Sequence, residues 1–150
     1  MKQRDSLLEM PSLPDMAVDL RVLLGKLTRR LREEARAGDF TLSQRSMLGR
    51  LEREGPATVT TLAKGEGVRP QSAGATLAVL EAAGMVAGTP DPADGRRTIL
   101  SLTPVAREMI KASRAARQDW LLRAIRSKLT PHEQVELATG MELLERIAES

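Results

Sequence analysis

The chain has 150 residues, 41% of them hydrophobic and 29% charged, a balance that folds as one domain and is too apolar and too mixed in sign for a disordered chain. Cysteine is absent, which excludes disulfides, thiolate zinc sites, iron–sulfur clusters and a reactive-thiol sensor. The formal charge is only +3, no stretch approaches the ~18 apolar residues that span a bilayer, and Asp5, Glu9, Asp15 and Asp19 break any leader-like segment, so a cytoplasmic protein without a membrane partner is expected.

Residues 1–12 have no clear period, and Pro11 with Pro14 just beyond suggests a loose or packing arm. A helix is predicted from about Asp15 to Arg36, where Met16, Leu20, Leu23, Leu27 and Leu31 fall three and four apart on one stripe, and Gly38 ends it. Thr41 with Gln44 three residues later reads as a capping box, and Met47, Leu48 and Leu51 supply the buried face of a second helix that Gly55-Pro56 stops. Ala57 to Val59 is long enough only for a strand stub. Thr58 then caps a short helix through Lys64 that buries Leu62 and Ala63. Gly65 to Arg69 is read as a turn, and Pro70 opens a helix to about Ala83 with Ala73, Leu77 and Leu80 inside. Gly84 is placed to end it in a left-handed conformation.

After Gly84 the period changes. Met85 to Thr89, a Pro-Asp-Pro-Ala-Asp-Gly cluster and Arg97 to Leu102, where Thr98, Leu100 and Leu102 alternate with Ile99 and Ser101, read as a β-hairpin with a projecting tip. Val105, Met109, Ala112, Ala116 and Trp120 mark a long helix whose stripe runs on through Leu121 and Ile125 to Leu129. Thr130-Pro131-His132-Glu133 then starts a last helix lined by Val135, Ala138, Met141, Leu144 and Ala148. The seven methionines and Trp120 read as core fillers rather than cofactor elements, and no cofactor or metal is expected.

Helix, helix, stub, short helix, longer helix and hairpin, in that order, are the parts of a winged helix-turn-helix. The expected fold is therefore mainly α with a small β-hairpin wing. In that arrangement the helix from Pro70 enters the major groove of DNA and the hairpin tip reaches the backbone or minor groove. Arginine makes up 18 of the 23 cationic residues, and its planar fork suits phosphate and guanine. The candidate DNA contacts are Thr58, Arg69, Pro70, Gln71, Ser72, Ala75, Thr76, Arg96 and Arg97. Gln71 can read an adenine edge, and Ala75 or Thr76 a thymine methyl; the alternative is that Gln71 and Ser72 only solvate a helix start. At the tip, Asp94 or Asp91 is expected to orient Arg97 while Arg96 points outward, against the alternative of an ordinary Asp-rich turn with solvated arginines.

Leu42-Ser43-Gln44-Arg45, Glu54-Gly55-Pro56, Leu62-Ala63, Val68-Arg69-Pro70-Gln71-Ser72, Leu80-Glu81-Ala82-Ala83-Gly84 and Asp91-Pro92-Ala93-Asp94-Gly95-Arg96-Arg97 through Leu102-Thr103 together resemble the MarR family of winged helix-turn-helix transcription regulators. The Asp-x-Arg wing followed by Leu-Thr is the most specific part. Gly74-Ala75 departs from the larger or basic residues that many relatives carry.

The resemblance implies one unit over 1–150. Residues 38–102 would form the DNA-binding lobe, and 13–37 and 103–150 the N- and C-terminal dimerisation helices. It further implies a homodimer on a pseudo-palindromic operator of double-stranded DNA, usually as a repressor. The helical stripes support this on their own, since they exceed what one small lobe can cover. By the same resemblance a small aromatic anion would act as effector in a crevice lined by Leu24, Leu27, Met47, Arg50 and Met109, with Arg50 free for its carboxylate; core packing and a solvated arginine are the plainer alternative. One histidine, His132 in a helix cap, and no cysteine or tyrosine leave little for catalysis, so an enzyme is not expected. A helical protein–protein adaptor that does not bind DNA is the remaining alternative.

Overall fold

The computed structural model describes residues 10–35 and 40–150. Six helices and three strands run in the order α1 (Leu13–Glu34), α2 (Leu42–Glu54), β1 (Ala57–Thr58), α3 (Val59–Glu66), α4 (Pro70–Ala82), β2 (Val86–Pro90), β3 (Thr98–Leu102), α5 (Pro104–Lys128) and α6 (Pro131–Ala148). This is the winged helix-turn-helix expected from the residue pattern, with long terminal helices on either side. Among the described residues no helix is long and apolar enough to cross a membrane.

Local chemistry sets the boundaries of the lobe. Thr41 and Gln44 form the reciprocal capping box of α2, and Gly55 ends that helix at φ 83, a backbone conformation that costs a side-chain-bearing residue about 1 kcal/mol or more. Thr58 caps α3 through the Thr61 amide. That helix runs to Glu66, two residues past the expected end at Lys64, and Gly67, within the expected turn, makes the left-handed stop at φ 66. Gly65 lies inside the helix with the Arg50 guanidinium across it: a Cβ there would stand 2.7 Å from an Arg50 nitrogen.

The wing is a three-stranded antiparallel sheet in the order β1-β3-β2 rather than a bare hairpin, since Ala57 and Thr58 pair with Leu100 and Ile99. That pairing covers one edge of β3 and fastens the wing to the lobe. Gly88 on β2 faces Leu100 on β3, where a Cβ would meet the Thr98 methyl at 2.7 Å. Inside, Met47, Leu48 and Leu51 from α2, Leu62 and Ala63 from α3, Ala73, Leu77 and Leu80 from α4, and Val86, Leu100 and Leu102 from the wing close one core with Ala106 of α5. Every lobe residue expected to be buried is in it.

The terminal helices differ more from expectation. α1 begins at Leu13, where Ser12 accepts a hydrogen bond from the Asp15 amide and Pro14 sits in the first turn, so Pro14 belongs to the helix and not to an arm. The expected ends at Arg36 and Gly38, like most of the 1–12 arm, lie outside the described residues. In α5 the inward face runs through Ala106, Ile110 and Ser113, while Val105 and Ala112 are exposed. The apolar stripe drawn through Val105 and Ala112 misjudged the rotation because the innermost residue after Ala106 is a serine. Ser113 donates to the Ala35 carbonyl at 3.2 Å, satisfying a carbonyl at the end of α1 in a place where a larger side chain would hold the helices apart. Arg30 of α1 also lies over the Trp120 ring of α5, 5.3 Å from its centroid. α5 ends at Lys128, and Leu129 is extended. Thr130, Pro131 and Glu133 then open α6 with a second capping box. Neither α1 nor α6 contains a buried residue, and α6 packs extensively on no other element.

Candidate nucleic-acid interface

The first turn of α4 is open. Arg69 is its extended N-cap residue, and no side chain caps the helix, which leaves amide N–H groups at its start turned outward. Arg69, Pro70, Gln71, Ser72 and Ala75 are exposed while Ala73 and Leu77 anchor the opposite face in the core. From Pro70 to Leu80 the helix has no charged residue. Gln71 therefore brings an amide fork, with one donor and one acceptor side, to a surface with no carboxylate on its own helix before Glu81. Thr76 is half-buried and its hydroxyl donates back to the Ser72 carbonyl at 3.2 Å, so its methyl is the part left for an apolar contact. A Cβ built on Gly74 meets nothing within 4 Å: the protein's own packing does not call for a glycine there, although it costs the helix about 1 kcal/mol relative to alanine. Thr58 is occupied as the α3 cap, with its hydroxyl 3.0 Å from that of Thr61.

The wing tip is folded by its two aspartates. The Asp91 amide donates to the Arg97 carbonyl at 2.8 Å, and the Arg97 amide to the Asp94 carbonyl at 3.0 Å. Asp91 Oδ1 accepts from the Ala93 amide, and Asp94 Oδ1 from the Arg96 amide. Of the two candidates, Asp94 is the one that approaches the Arg97 guanidinium, its Oδ2 lying 3.8 Å from Nε. Both side chains are exposed, so this contact orients more than it stabilises. Arg96 is exposed and makes no ion pair among the described residues.

The expected effector crevice is not assembled as drawn. Leu24 and Leu27 are exposed on α1, Met47 is buried in the lobe core, and Met109 lines a different cavity. Arg50 is not free for a ligand carboxylate: its Nε donates to Glu66 at 2.7 Å and its Nη1 to Glu54 at 2.8 Å. The hydrogen bond to Glu66 raises the Arg50 pKa most, burial opposes it, and the Glu54 and Glu66 charges add to the rise. For Glu66, burial is the largest influence and acts upward, but hydrogen bonds from Ser46 and Arg50 and the charges of Arg50 and Arg53 outweigh it, so its pKa falls below the ordinary 4.5. A carboxyl depressed on folding adds stability above its unfolded pKa and loses it as pH falls through the folded value. The melting temperature should therefore drop as the solution is acidified below about pH 4.5. In Glu66→Gln that part of the acid decline should be missing; an unchanged acid limb in a thermal melt series would show that this cluster does not couple to folding.

A cavity of about 390 Å³ lies instead between the end of α1, the outer face of α2 and α5. Phe40, Leu48, Met109 and Ile110 form its apolar part, and Arg32, Arg45, Arg53, Arg114 and Arg117 its basic part. These arginines are far apart in the chain, on three helices, and no local motif marks them.

A packed lobe with an open-ended helix, a turn before it and a three-stranded wing with two arginines at its tip after it define a winged helix-turn-helix DNA-binding protein. Residues 39–97 match the MarR family. An uncharacterized HTH-type transcriptional regulator of Mycobacterium leprae is 35% identical over 90% of this chain and 94% of its own length. A Pseudomonas aeruginosa PA01 protein described as a transcriptional regulator has the same fold at a TM-score of 0.80, with 34% identity over 94% of this chain and 99% of its own. A mutant of S. aureus MepR, solved bound to an oligodeoxyribonucleotide, shares the fold at a TM-score of 0.71 with 20% identity, over 88% of this chain and 97% of its own. The chain belongs to the MarR family of HTH-type, DNA-binding transcription regulators, a family of regulators and not of enzymes.

Proposed function

We propose that the chain is a homodimeric repressor that grips a pseudo-palindromic operator. Residues 38–102 act as the reading lobe, and 13–37 and 103–150 as the dimerisation helices. The observation that carries this reading is the open, uncharged start of α4 on a lobe whose other face is fully packed. Gln71, Ser72 and Ala75, with the Thr76 methyl, read base edges in the major groove; Arg69 and the unpaired Arg96 meet phosphates or the minor groove. Asp94 and Asp91 hold the tip, with Arg97 at its base. Thr58 contributes through the position of α3 rather than its hydroxyl. Gly74 leaves space where the helix backbone comes nearest the bases.

Dimerisation is supported by the apolar residues that this chain leaves uncovered on its terminal helices: Leu13, Val22 and Leu23 on α1, Leu122 on α5, and Met141, Leu143, Leu144 and Ile147 on α6. A surface of that kind on three long helices is not stable in water by itself. Two lobes joined through it place two α4 helices on half-sites about 10 bp apart. The protein works in the cytoplasm, where its operator is, and a small aromatic acid in the cavity between lobe and terminal helices releases it from DNA.

Arg96→Ala tests the wing. Its operator affinity should fall, and the slope of log K against log salt should shrink by about one unit for each phosphate no longer neutralised, doubled in a dimer. The melting temperature should hardly move, since Arg96 is exposed and makes no ion pair among the described residues. Operator affinity unchanged at every salt concentration would remove the wing from the interface. Binding of wild-type protein to duplex DNA that ignores salt altogether would instead favour the adaptor reading, in which the lobe docks on protein.

A further inference from the structure

Glycine weakens the interior of a helix, and it persists there where something must come close to the backbone. For two helical glycines this chain supplies the reason itself: a Cβ on Gly49 would stand 3.1 Å from an Arg53 nitrogen, and one on Gly65 2.7 Å from an Arg50 nitrogen. A Cβ on Gly25 of α1, Gly74 of α4 or Gly140 of α6 would meet nothing within 4 Å, and none of the three has a positive φ. Gly25 and Gly140 lie on the helices assigned above to dimerisation, where a second copy comes close. Gly74 stands on the lobe.

The direction in which Gly74 looks follows from the helix. It precedes Glu81 by seven residues, which is nearly two whole turns, so the two lie on almost the same line along α4. Glu81 leans toward the wing: its Oε1 is 3.9 Å from the position of a Cβ on Gly88 of β2. Gly74 is therefore on the flank of α4 that looks toward the wing, near the open start of the helix, and Ala78 between them is small and exposed. Its neighbours Ala73 and Leu77 turn into the core.

On any one side of a duplex a single sugar–phosphate strand separates the major groove from the minor groove. A helix seated in the first and a hairpin tip seated in the second have that strand between them. Resting on the reading of α4 and the wing as such a pair of grips, we infer that Gly74 is the clearance residue of the grip, leaving room for the DNA strand that crosses between α4 and the wing. Helix stability is given up at this position so that sugar and phosphate can pass close to the backbone of α4. A strand has the same backbone whatever its bases, so a side chain placed here hinders every operator alike.

The test compares Gly74→Ala and Gly74→Leu with wild type in thermal melts and in titrations of the full chain with an operator selected from random duplexes. Gly74→Ala should melt about 2–4 °C higher, because alanine is the better helix former, and yet bind the operator less tightly. Gly74→Leu should stay folded by circular dichroism and lose about tenfold or more in affinity. The loss should be the same factor on each single-base-pair variant of the operator, and the salt slope should match wild type, since no cation has been removed. Arg96→Ala should cost less in the Gly74→Leu background than alone, because a strand kept out of the gap no longer holds the wing tip to its groove. Operator affinity retained by Gly74→Leu would overturn the inference and leave the repressor standing. A preference changed at one base pair would place a base edge at Gly74, and strictly additive losses with Arg96→Ala would place the glycine away from the wing; either result overturns it. No gain in melting temperature from Gly74→Ala would show that the fold itself calls for glycine, with the same consequence. Wild-type protein that binds no duplex DNA would instead refute the repressor, and the clearance role with it.

Discussion

Replacing Leu144 and Ile147 together by glutamate should turn the protein into a monomer in sedimentation experiments and abolish operator binding at concentrations where the wild type saturates. α6 has no buried residue and packs extensively on no element of its own chain, yet Met141, Leu144 and Ile147 stand within two turns of it and all are exposed. An 18-residue helix of this composition keeps its place by burying that face elsewhere. Full burial of a leucine or isoleucine contributes about 1.5–3 kcal/mol. Two such residues from each of two subunits amount to roughly 6–12 kcal/mol, before the cost of burying four carboxylates is added. The lobe core contains none of these residues, so circular dichroism should still report a folded helical protein. Binding by two linked lobes exceeds binding by one by about 10²–10⁴, and this is the loss expected on DNA. A dimer that persists with both glutamates, or a monomer that holds the operator as tightly as wild type, would sink the proposal.

The lobe was legible in the sequence because each of its boundaries is set by a local interaction. Thr41 with Gln44, Thr58 and Gly84 all act within a few residues, as Thr130 with Glu133 does at the start of α6, and the core positions of α2 and α4 repeat at helical spacing around one small core. Burial there follows from the pattern alone. The face of α5 was not legible, since Ser113 is inward for the sake of a carbonyl 78 residues earlier, a requirement no period can express. The third wing strand was half legible: its residues were identified as extended, but its pairing with β3 joins Ala57 to Leu100 across two intervening helices. The effector crevice failed for a related reason. Arg50 has a carboxylate one turn away in Glu54 and a second brought to it by α3. The arginines that are available gather only when three helices are placed, and the α1–α5 packing that places them depends on Ser113 and Trp120.

Gln71→Ala should cost about 1–3 kcal/mol at the operator, a fall of roughly 5- to 150-fold, while leaving affinity for unrelated duplex DNA almost unchanged. Gln71 stands in the first turn of α4, exposed, on a helix without a charged residue before Glu81. A side chain there that only solvates the helix start could be cut to alanine with no effect on DNA. One that forms paired hydrogen bonds with an adenine leaves two base groups unsatisfied when it is removed, and that penalty falls at a single operator position. The salt dependence separates it from Arg96, because an amide releases no counterions: the Gln71→Ala slope should match wild type while the Arg96→Ala slope is shallower. Substituting each base pair of a half-site in turn should show that the variant has lost its preference at one position and kept it at the others. Equal losses on specific and non-specific DNA would mean that this turn supports the backbone grip and does not read sequence, and the reading of α4 as the helix that selects the operator would then be wrong.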